Sequence, residues 1–400
     1  VEIFPAANIA GQFTIENHRS IRNSAVVSFT ASKDKSLDEY LLHPDEKKTL
    51  LPAIAIYGAN AAGKSNVLHA MRTMKDMVVG EAAKALKGQK LPWEPFGGNT
   101  EPTFFEIMFI YQKVRYAYGF SFDKKKIYTE YLYHWPNGRE ALIFSRDNGQ
   151  YEFRENVNEQ VTLSNRTPDN KLYLVSSNDW NLPQTENAYR WFLEKLTFLM
   201  EEEPATSETV AQIVSSDDKK ARILKELMLA DLGISDITVK NPSKNAPIIT
   251  TTHRIIHEDG SVEYFQLQME QESAGTQHFF ARIGGWLQAL ENGALLVVDE
   301  IEDSLHPLLT KRLIEMVQDK RINTKGAQLL FTTHDAMLLD LSFFRRDQIW
   351  FAEKDNKSCA TELYSLASFS PRKGENVRKG YLQGRFGAIP FIGGDGQWQR

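Results

Sequence analysis

The chain has 400 residues, 42% of them hydrophobic and 25% charged, which is the composition of an ordinary globular protein with a large core and one to three domains. The formal net charge of -5 argues against a protein that binds polyanions over its whole surface, although it is compatible with a local basic patch. Cys359 is the only cysteine, which excludes an intramolecular disulfide and a metal cluster built from cysteines.

No run of 18 apolar residues occurs in the chain, and its first residues lack the apolar core of a signal peptide. No repeat at the spacing of a solenoid protein is visible either. We therefore expect a cytoplasmic protein that makes no contact with a membrane.

The first half of the chain is predicted to consist mainly of strands. Apolar runs alternate with polar turns over residues 1–50, and the buried strand PAIAIYG leads into a glycine-rich loop. After the loop, apolar residues recur at helical spacing, which predicts a helix with a buried face formed by Val67, Met71, Met74 and Val78. Residues 103–175 are predicted to form antiparallel strands with Asn-Gly turns, in the segments FFEIMFIY, YAYGFSF, YTEYLYHW, ALIFS and KLYLVSS.

In the second half of the chain, the predicted secondary structure changes from helices to strands and then to alternating helices and strands. Residues 189–200 and 219–232 look helical, and strands return over residues 248–256 and 262–269 around an Asp-Gly turn. From Glu272 onward helices and strands alternate, which implies parallel strands joined by helices. The predicted fold class is therefore α/β, with an antiparallel β subdomain and a helical insert of about 50 residues, too short for long coiled-coil arms.

Residues 58–65 read GANAAGKS, which fits the phosphate-binding pattern G-x-x-x-x-G-K-S/T between a predicted strand and a predicted helix. Glycines allow backbone N–H groups to approach phosphates, and the start of the helix favours their negative charge. Lys64 is expected to reach the β- and γ-phosphates of ATP, and the Ser65 hydroxyl is expected to bind Mg²⁺. The predicted nucleotide-binding residues of this P-loop are Gly58, Asn60, Gly63, Lys64, Ser65 and Asn66.

The strand ALLVVDE supplies the second half of the predicted site. Asp299 ends this strand, where it can hold Mg²⁺ through water, and Glu300 can then face the attacking water as a general base. The alternative is that both carboxylates only cap the helix that follows.

The segment ESAGT, residues 272–276, is here called the signature loop. Ser273 and Gly275 lie at the start of a predicted helix, where free N–H groups can bind an anion. Because the P-loop already serves the phosphates of its own nucleotide, a second anion-binding helix start points to a γ-phosphate bound to a partner molecule. The alternative is that Ser273 is an ordinary helix N-cap.

The order GANAAGKS, ESAGT, VVDEIEDSLHP and TTHD resembles the ABC-type ATPases of the SMC/RecF/OLD group. Within that group, the segments ENHRSI and GRFGAIPF and the short arms resemble the RloA/AbiL-type ATPases of bacterial phage defence, and the related AriA-type ATPases of the PARIS system are the alternative resemblance. Three regions follow from the resemblance: an N-terminal ATPase lobe over residues 1–178, a helical insert with connecting strands over 179–262, and a C-terminal ATPase lobe over 263–400.

The resemblance implies head-to-tail homodimers, or higher homo-oligomers, that hold two ATP molecules between the subunits. Ser273 and Gly275 would contact the γ-phosphate of the partner's nucleotide, Asp303 would lie along the dimer interface, and His334 would be a switch histidine. The implied catalytic residues are Glu300, His334 and Lys64, and the implied metal ligands are Ser65 and Asp299.

Several residues fit the resemblance less closely. Asn178 stands near the place of the glutamine that contacts magnesium in ABC proteins, and Glu272 replaces the leucine found in many of them. Arg19 is either close to the nucleotide or an exposed arginine. The basic run SPRKGENVRKGYLQGR either contacts nucleic acid or an acidic partner, or is a solvated surface.

The leading functional hypothesis is an ATP-hydrolysing switch in antiphage defence by abortive infection. It would control a separate effector, which the resemblance suggests is a Toprim-like nuclease, in response to nucleic acid or a phage-derived trigger. The alternative is a RecF/SMC-like ATPase of DNA repair or chromosome maintenance. A transporter subunit is less consistent with the turn of residues 300–303 and with the antiparallel insert, which resemble SMC-group proteins more closely. A metabolic kinase is disfavoured because ESAGT and TTHD would then have no role.

Overall fold

Three β-sheets organise the part of the chain that the computed structural model describes, namely residues 9–45, 48–199, 206–229, 233–240, 247–372 and 374–390. Its strands are β1 (Ala10–Glu16), β2 (Ala25–Ser28), β3 (Ala53–Tyr57), β4 (Thr103–Tyr111), β5 (Val114–Phe122), β6 (Ile127–Trp135), β7 (Ala141–Asp147), β8 (Gln150–Phe153), β9 (Leu196–Leu199), β10 (Ile234–Lys240), β11 (Ile248–Ile256), β12 (Val262–Gln268), β13 (Leu295–Val298), β14 (Gln328–Thr333), β15 (Ile349–Lys354) and β16 (Thr361–Ser365). Its helices are α1 (Lys64–Val79), α2 (Val157–Ser164), α3 (Tyr173–Asp179), α4 (Pro183–Glu194), α5 (Thr206–Ser215), α6 (Asp217–Leu229), α7 (Ala274–Asn292), α8 (Pro307–Gln318) and α9 (Val377–Leu382).

The six-stranded sheet has the order β16-β15-β3-β14-β13-β9. All neighbouring pairs in it are parallel except β15 with β16. The predicted α/β fold with a parallel sheet is therefore confirmed. Because the five parallel strands run the same way, their carboxyl ends, and the loops that follow them, meet at one edge of the sheet.

The seven-stranded sheet is antiparallel and has the order β2-β1-β4-β5-β6-β7-β8, which confirms the predicted antiparallel subdomain. Helix α1 packs between the two large sheets, and the four apolar residues that predicted this helix are fully buried. Alternate residues of β3 face two different cores. Ile54 and Ile56 pack in the α1 core, and Ala55 and Tyr57 pack in the core that contains α7 and α8.

The segment KLYLVSS was predicted to be a strand, and this prediction was wrong, because Tyr173–Asp179 forms α3. The fully buried carboxylate of Glu130, on β6, accepts the N–H groups of Tyr173 (2.6 Å) and Leu174 (2.9 Å) in the first turn of this helix. A carboxylate at a helix start stabilises the helix, but this partner lies more than 40 residues upstream. Asn178 consequently lies inside a helix and does not follow a strand, which removes the reason for assigning it the magnesium contact.

The predicted helix over residues 189–200 was wrong in its second half. Helix α4 ends at Glu194, and Leu196–Leu199 forms β9, the edge strand beside β13. A four-residue apolar segment has no periodicity that distinguishes a strand from the last turn of a helix. The helix predicted over residues 219–232 is α6, and residues 230–232 lie outside the described residues.

The helical insert packs closely on α7. A Cβ atom on Gly284 would lie 2.4 Å from the Cα atom of Thr209, on α5, and the Thr209 hydroxyl accepts the N–H of Gly284 (3.0 Å). Only glycine allows this approach. Beyond α6, strands β10, β11 and β12 form a small antiparallel sheet of their own. None of the helices in the described residues is long and apolar enough to cross a bilayer.

We expect the free energy of unfolding to fall by about 2 kcal/mol between pH 7 and pH 5 because of His18. Burial, and next the charge of Arg19, lower the pKa of this fully buried imidazole from 6.5 to about 4, and neither ring nitrogen has a hydrogen-bond partner within the described residues. The unfolded chain therefore binds the proton more tightly, so stability is retained above pH 6.5 and is lost as the pH falls towards 4. Urea titrations at both pH values, on the wild type and on His18→Phe, measure this. An equal loss in both proteins would contradict the prediction.

Candidate functional site

The P-loop between β3 and α1 lies against the C-terminal strands. A Cβ atom on Gly58 would lie 2.4 Å from the carbonyl oxygen of Ala352, and one on Gly63 would lie 2.1 Å from Thr361 Oγ1. Gly63 also has a φ of 98°, which other residues adopt only with strain. The shape of the loop therefore requires both glycines, whereas Asn60 is exposed.

Two residues that are distant in sequence support the P-loop from the outside. Thr361 Oγ1 donates to the carbonyl oxygen of Ala62 (2.8 Å) and lies 2.7 Å from the Ser20 hydroxyl. Asn66 Nδ2 donates to the same Ser20 hydroxyl (2.7 Å). In the single chain, Asn66 therefore contacts a residue that supports the loop, and its predicted contact with nucleotide stays a prediction.

The carboxyl ends of three neighbouring strands bring most of the predicted site residues together. In the sheet order β3-β14-β13, these strands lead into the P-loop, His334, and Asp299 with Glu300. Ser65 Oγ donates to Asp299 Oδ1 (3.1 Å), so the two predicted magnesium ligands are in contact. Thr332 Oγ1 donates to the same carboxylate oxygen and accepts the N–H of Glu300 (2.8 Å).

A hydrogen-bonded chain joins the three predicted catalytic residues. Lys64 Nζ lies 3.3 Å from His334 Nδ1, and His334 Nε2 lies 2.9 Å from Glu300 Oε1. Because an ammonium group only donates and an ionised carboxylate only accepts, His334 fits here as the neutral tautomer with its proton on Nε2. Burial lowers the pKa of Lys64, which is 5% exposed, while the carboxylates of Glu300, Asp299 and Glu302 act in the opposite direction.

The backbone of Glu300 has a φ of 45°, a left-handed conformation that residues other than glycine adopt at an energetic cost. Its N–H is held by the Thr332 hydroxyl, and the N–H of Ile301 donates to the Thr332 carbonyl oxygen (3.1 Å). Neighbouring groups therefore fix this turn, and they determine where the Glu300 carboxylate points. Strain of this kind is typical of functional positions.

Two residues of this cluster escaped the sequence reasoning. Thr332 bridges the ends of β13 and β14, and the carboxylate of Glu302 accepts the backbone N–H of His334. The signal for Thr332 was present, since two threonines directly precede the histidine of TTHD. Its contacts with Asp299 and Glu300 could not be predicted from the sequence, because they depend on the pairing of β13 with β14.

The signature loop begins α7 and contacts its own subunit. Ser273 is the N-cap, whose Oγ accepts the N–H of Thr276 (3.1 Å), and a Cβ atom on Gly275 would lie 3.1 Å from the carbonyl oxygen of Ser304. Within the described residues, no hydrogen bond joins Ser273 or Gly275 to the P-loop. The N-cap alternative therefore holds for the single chain, and a contact with a partner's nucleotide stays a prediction.

Asp303 lies in the turn after β13 and is connected to α7 of the same chain. Its Oδ2 atom lies 3.2 Å from His278 Nδ1 and 3.8 Å from Arg282 Nη2. Arg282 is buried and also donates to the carbonyl oxygen of Ile301 (3.0 Å). Sequence reasoning missed Arg282, although a charged residue within the apolar run FFARIGGWL was a signal. The predicted place of Asp303 at a dimer interface is not tested by these contacts.

The remaining candidates lie outside the cluster. Arg19 forms an ion pair with Glu94 (2.5 Å) and lines a cavity of about 710 Å³ beside α1. In the basic C-terminal run, Arg385 forms an ion pair with Glu375, which neutralises part of the charge of the run, and Arg378 contacts the uncharged sulfur of Met337. Lys373 of this run lies outside the described residues.

The geometry fits ATP with Mg²⁺. Gly58 and Gly63 allow the loop to pack tightly against the C-terminal strands, and the sixteen-residue helix α1 begins at Lys64, so its first N–H groups can face phosphates. Ser65 and Asp299 offer neighbouring oxygen ligands, which Mg²⁺ prefers, and Mg²⁺ usually takes only one or two protein ligands beside phosphate oxygens and water.

Comparison with known proteins identifies the family. The profile described as "AAA domain, putative AbiEii toxin, Type IV TA system", AAA_21, matches residues 53–340, which run from the first residue of β3 past His334. The chain belongs to the AAA_21 family. The family match agrees with the P-loop fold that the strand order and the glycine-rich loop indicate. The AAA_21 match does not include β1, β2, β15 and β16, and it therefore excludes Ser20 and Thr361.

The comparisons with solved structures and with curated proteins say less about this chain than the family match does. The chain is similar to the SMC head domain from Thermotoga maritima, at 11% identity and a TM-score of 0.41, over 89% of this chain and 98% of that one. It is also similar to the SmcHead bound to the C-winged helix domain of ScpA, at 14% identity and a TM-score of 0.39, over 90% and 99% of the two chains. Among curated proteins, none matches this AAA_21 sequence.

Proposed function

We propose that this chain binds MgATP and hydrolyses it in a homodimer, or a larger assembly built from such dimers. One observation carries the proposal: Lys64, Ser65, Asp299, Glu300 and His334 form a connected cluster, whereas the signature loop of the same chain makes no hydrogen bond with it in the described residues. A site completed by the Ser273 and Gly275 of a second copy would account for both facts.

In this mechanism, the P-loop N–H groups and Lys64 would bind the phosphates, and the Ser65 hydroxyl, together with Asp299 acting through water, would hold the metal ion. Bound Mg²⁺ would neutralise charge on the β- and γ-phosphates. Thr332 keeps Asp299 in place and fixes the turn at Glu300. Glu300 would then accept a proton from the water whose oxygen attacks the γ-phosphorus, while the bond from that phosphorus to the β-phosphate oxygen breaks and ADP leaves. His334 orients the Glu300 carboxylate through the Nε2 hydrogen bond.

We further propose that the ATPase cycle is a switch in antiphage defence that controls a separate effector, with a Toprim-like nuclease as the candidate. The wording of the family description, which refers to an AbiEii toxin and a Type IV TA system, supports this class of function. The resemblance of ENHRSI and GRFGAIPF to phage-defence ATPases supports it as well. The trigger would be nucleic acid or a phage-derived molecule, and the site of action would be the cytoplasm.

The phage-defence proposal predicts that cells carrying this gene with its neighbouring genes resist phages and that Lys64→Ala abolishes the resistance. The reason is that Lys64 lies within the P-loop, so its loss removes nucleotide binding and with it the switch. Plating efficiency of a phage panel measures the effect, and Lys124→Ala, in an exposed hairpin turn, is the matched control. Equal plating on wild type and Lys64→Ala, combined with sensitivity of the latter to DNA damage, would favour the repair alternative.

A further inference from the structure

The side chain of Glu272, the first residue of the signature loop, forms hydrogen bonds with strand β11, whereas Ser273 caps helix α7. Its side chain is only 7% exposed, and Oε1 accepts hydrogen bonds from His253 Nε2 (2.6 Å) and from the Thr251 hydroxyl. Both donors lie on β11. The residue that replaces the leucine of many ABC proteins therefore connects β11 to the residue directly before Ser273.

The backbone of Glu272 is held from the other side. Gln277 Nε2, in the first turn of α7, donates to the Glu272 carbonyl oxygen (2.8 Å), and the Gln277 N–H donates to the carbonyl oxygen of Ser273 (3.0 Å). Glu272 thus has its main chain bound to α7 and its side chain bound to β11. A movement of β11 relative to α7 would have to break one of these two sets of hydrogen bonds.

The hairpin of β11 and β12 is packed near the signature loop and exposed to solvent towards its turn. The His253 ring stacks on Phe265, its partner in register across the hairpin, with 4.9 Å between the ring centroids. Further out, apolar side chains are exposed on both strands, and they include Ile256 and Tyr264, which are 60% and 61% exposed. The base of the hairpin is therefore fixed to the signature loop, while its outer part is open to solvent.

We propose that Glu272 is a positioning residue, which makes the β11–β12 hairpin and the signature loop move as one unit and sets the place of Ser273 in the closed dimer. This inference rests on the proposed role of Ser273. Its physical basis is the cost of losing the carboxylate. Nε2 of His253, whose side chain is only 12% exposed, would lose its carboxylate acceptor, and the hydroxyl of buried Thr251 would be left with the longer hydrogen bond to the carbonyl oxygen of Leu267 (3.2 Å). A displaced signature loop would weaken an interaction that exists only when the dimer is closed for hydrolysis.

The test compares Glu272→Leu with Glu272→Gln. Leucine removes both hydrogen bonds, and we expect kcat for ATP hydrolysis to fall by about 10- to 100-fold, the size of effect that a slightly misplaced catalytic group produces. Because the P-loop is untouched, the Kd for a fluorescent ATP analogue should stay unchanged. Glutamine keeps an acceptor oxygen, so Glu272→Gln should retain most of the activity. Glu270→Gln, an exposed acid two residues away, is the matched control.

A second variant separates positioning from loss of fold. His253→Phe removes the donor but keeps an aromatic ring against Phe265, and it should lower kcat in the same direction. If both variants act through one contact, the double variant Glu272→Leu with His253→Phe should be hardly slower than the slower single variant. Full additivity of the two losses, a loss that appears in the Kd instead of kcat, or wild-type hydrolysis by Glu272→Leu would each overturn the proposal.

Ser273→Ala, measured in parallel, distinguishes this inference from the function on which it rests. If Ser273→Ala loses activity while Glu272→Leu does not, only the positioning role fails. If neither variant loses activity, the composite site itself fails.

Discussion

Replacing Glu300 by glutamine is expected to lower kcat for ATP hydrolysis by roughly 10²- to 10⁴-fold, the usual contribution of a general base. Glutamine can still accept the hydrogen bond from His334 Nε2, but it cannot take a proton from water at neutral pH. The geometry of the site is therefore retained and only the proton transfer is removed. Phosphate release under saturating ATP measures the effect.

The same variant should accumulate as an ATP-bound dimer. Binding of the nucleotide closes the dimer in the proposed cycle and hydrolysis opens it, so a variant that binds without hydrolysing remains closed. Light scattering coupled to gel filtration, with and without MgATP, reports the change in mass. Glu315→Gln, a half-exposed acid on α8, is the control. Wild-type hydrolysis by Glu300→Gln would exclude Glu300 as the base.

Mixing two inactive variants should restore activity, which is the second large effect. Ser273→Ala is expected to lower hydrolysis by about 10- to 100-fold, the value of a hydrogen bond to a charged group, and Lys64→Ala should remove it. In a head-to-tail dimer of the two variants, one site combines the intact P-loop of one subunit with the intact Ser273 of the other. Random mixing in equal amounts should therefore restore about one quarter of the wild-type rate through these mixed dimers.

The mixing experiment distinguishes a shared site from a site within one chain. If the Ser273 hydroxyl acted only as the N-cap of its own helix, each chain would carry its own defect into every dimer and the mixture would stay inactive. A mixture of Lys64→Ala with Glu300→Gln is the matched control, because both residues belong to the same subunit's cluster and no mixed dimer contains an intact site. Recovery in this control would contradict the assignment of Glu300 to the cluster of Lys64.

The sequence was most informative where the residues of the site are adjacent in the chain or end a strand. The P-loop carries its own turn and helix start, and Asp299 and Glu300 follow an apolar run long enough to identify as a strand, so both halves of the cluster could be predicted. Only the order of the strands decides that these halves meet, and a parallel sheet with β14 between β3 and β13 brings them together.

Prediction failed where a partner distant in sequence decides the outcome. Glu130 holds the first turn of α3, and β13 recruits Leu196–Leu199 as an edge strand, although neither partner leaves a local signal. The contacts of Glu272 and Arg282 were missed for the same reason. A charged residue in an unexpected place was visible in the sequence, but the strand or turn that it binds was not.

The hydrogen bonds between Ser20 and Thr361 bring an N-terminal and a C-terminal segment of the chain together against the P-loop. A fragment trimmed to residues 53–340 would keep every side chain of the proposed chemistry and still lose the hydroxyl groups that support Ala62 and Asn66. We therefore expect the smallest fragment that folds with an intact P-loop to be larger than the segment that the family model matches.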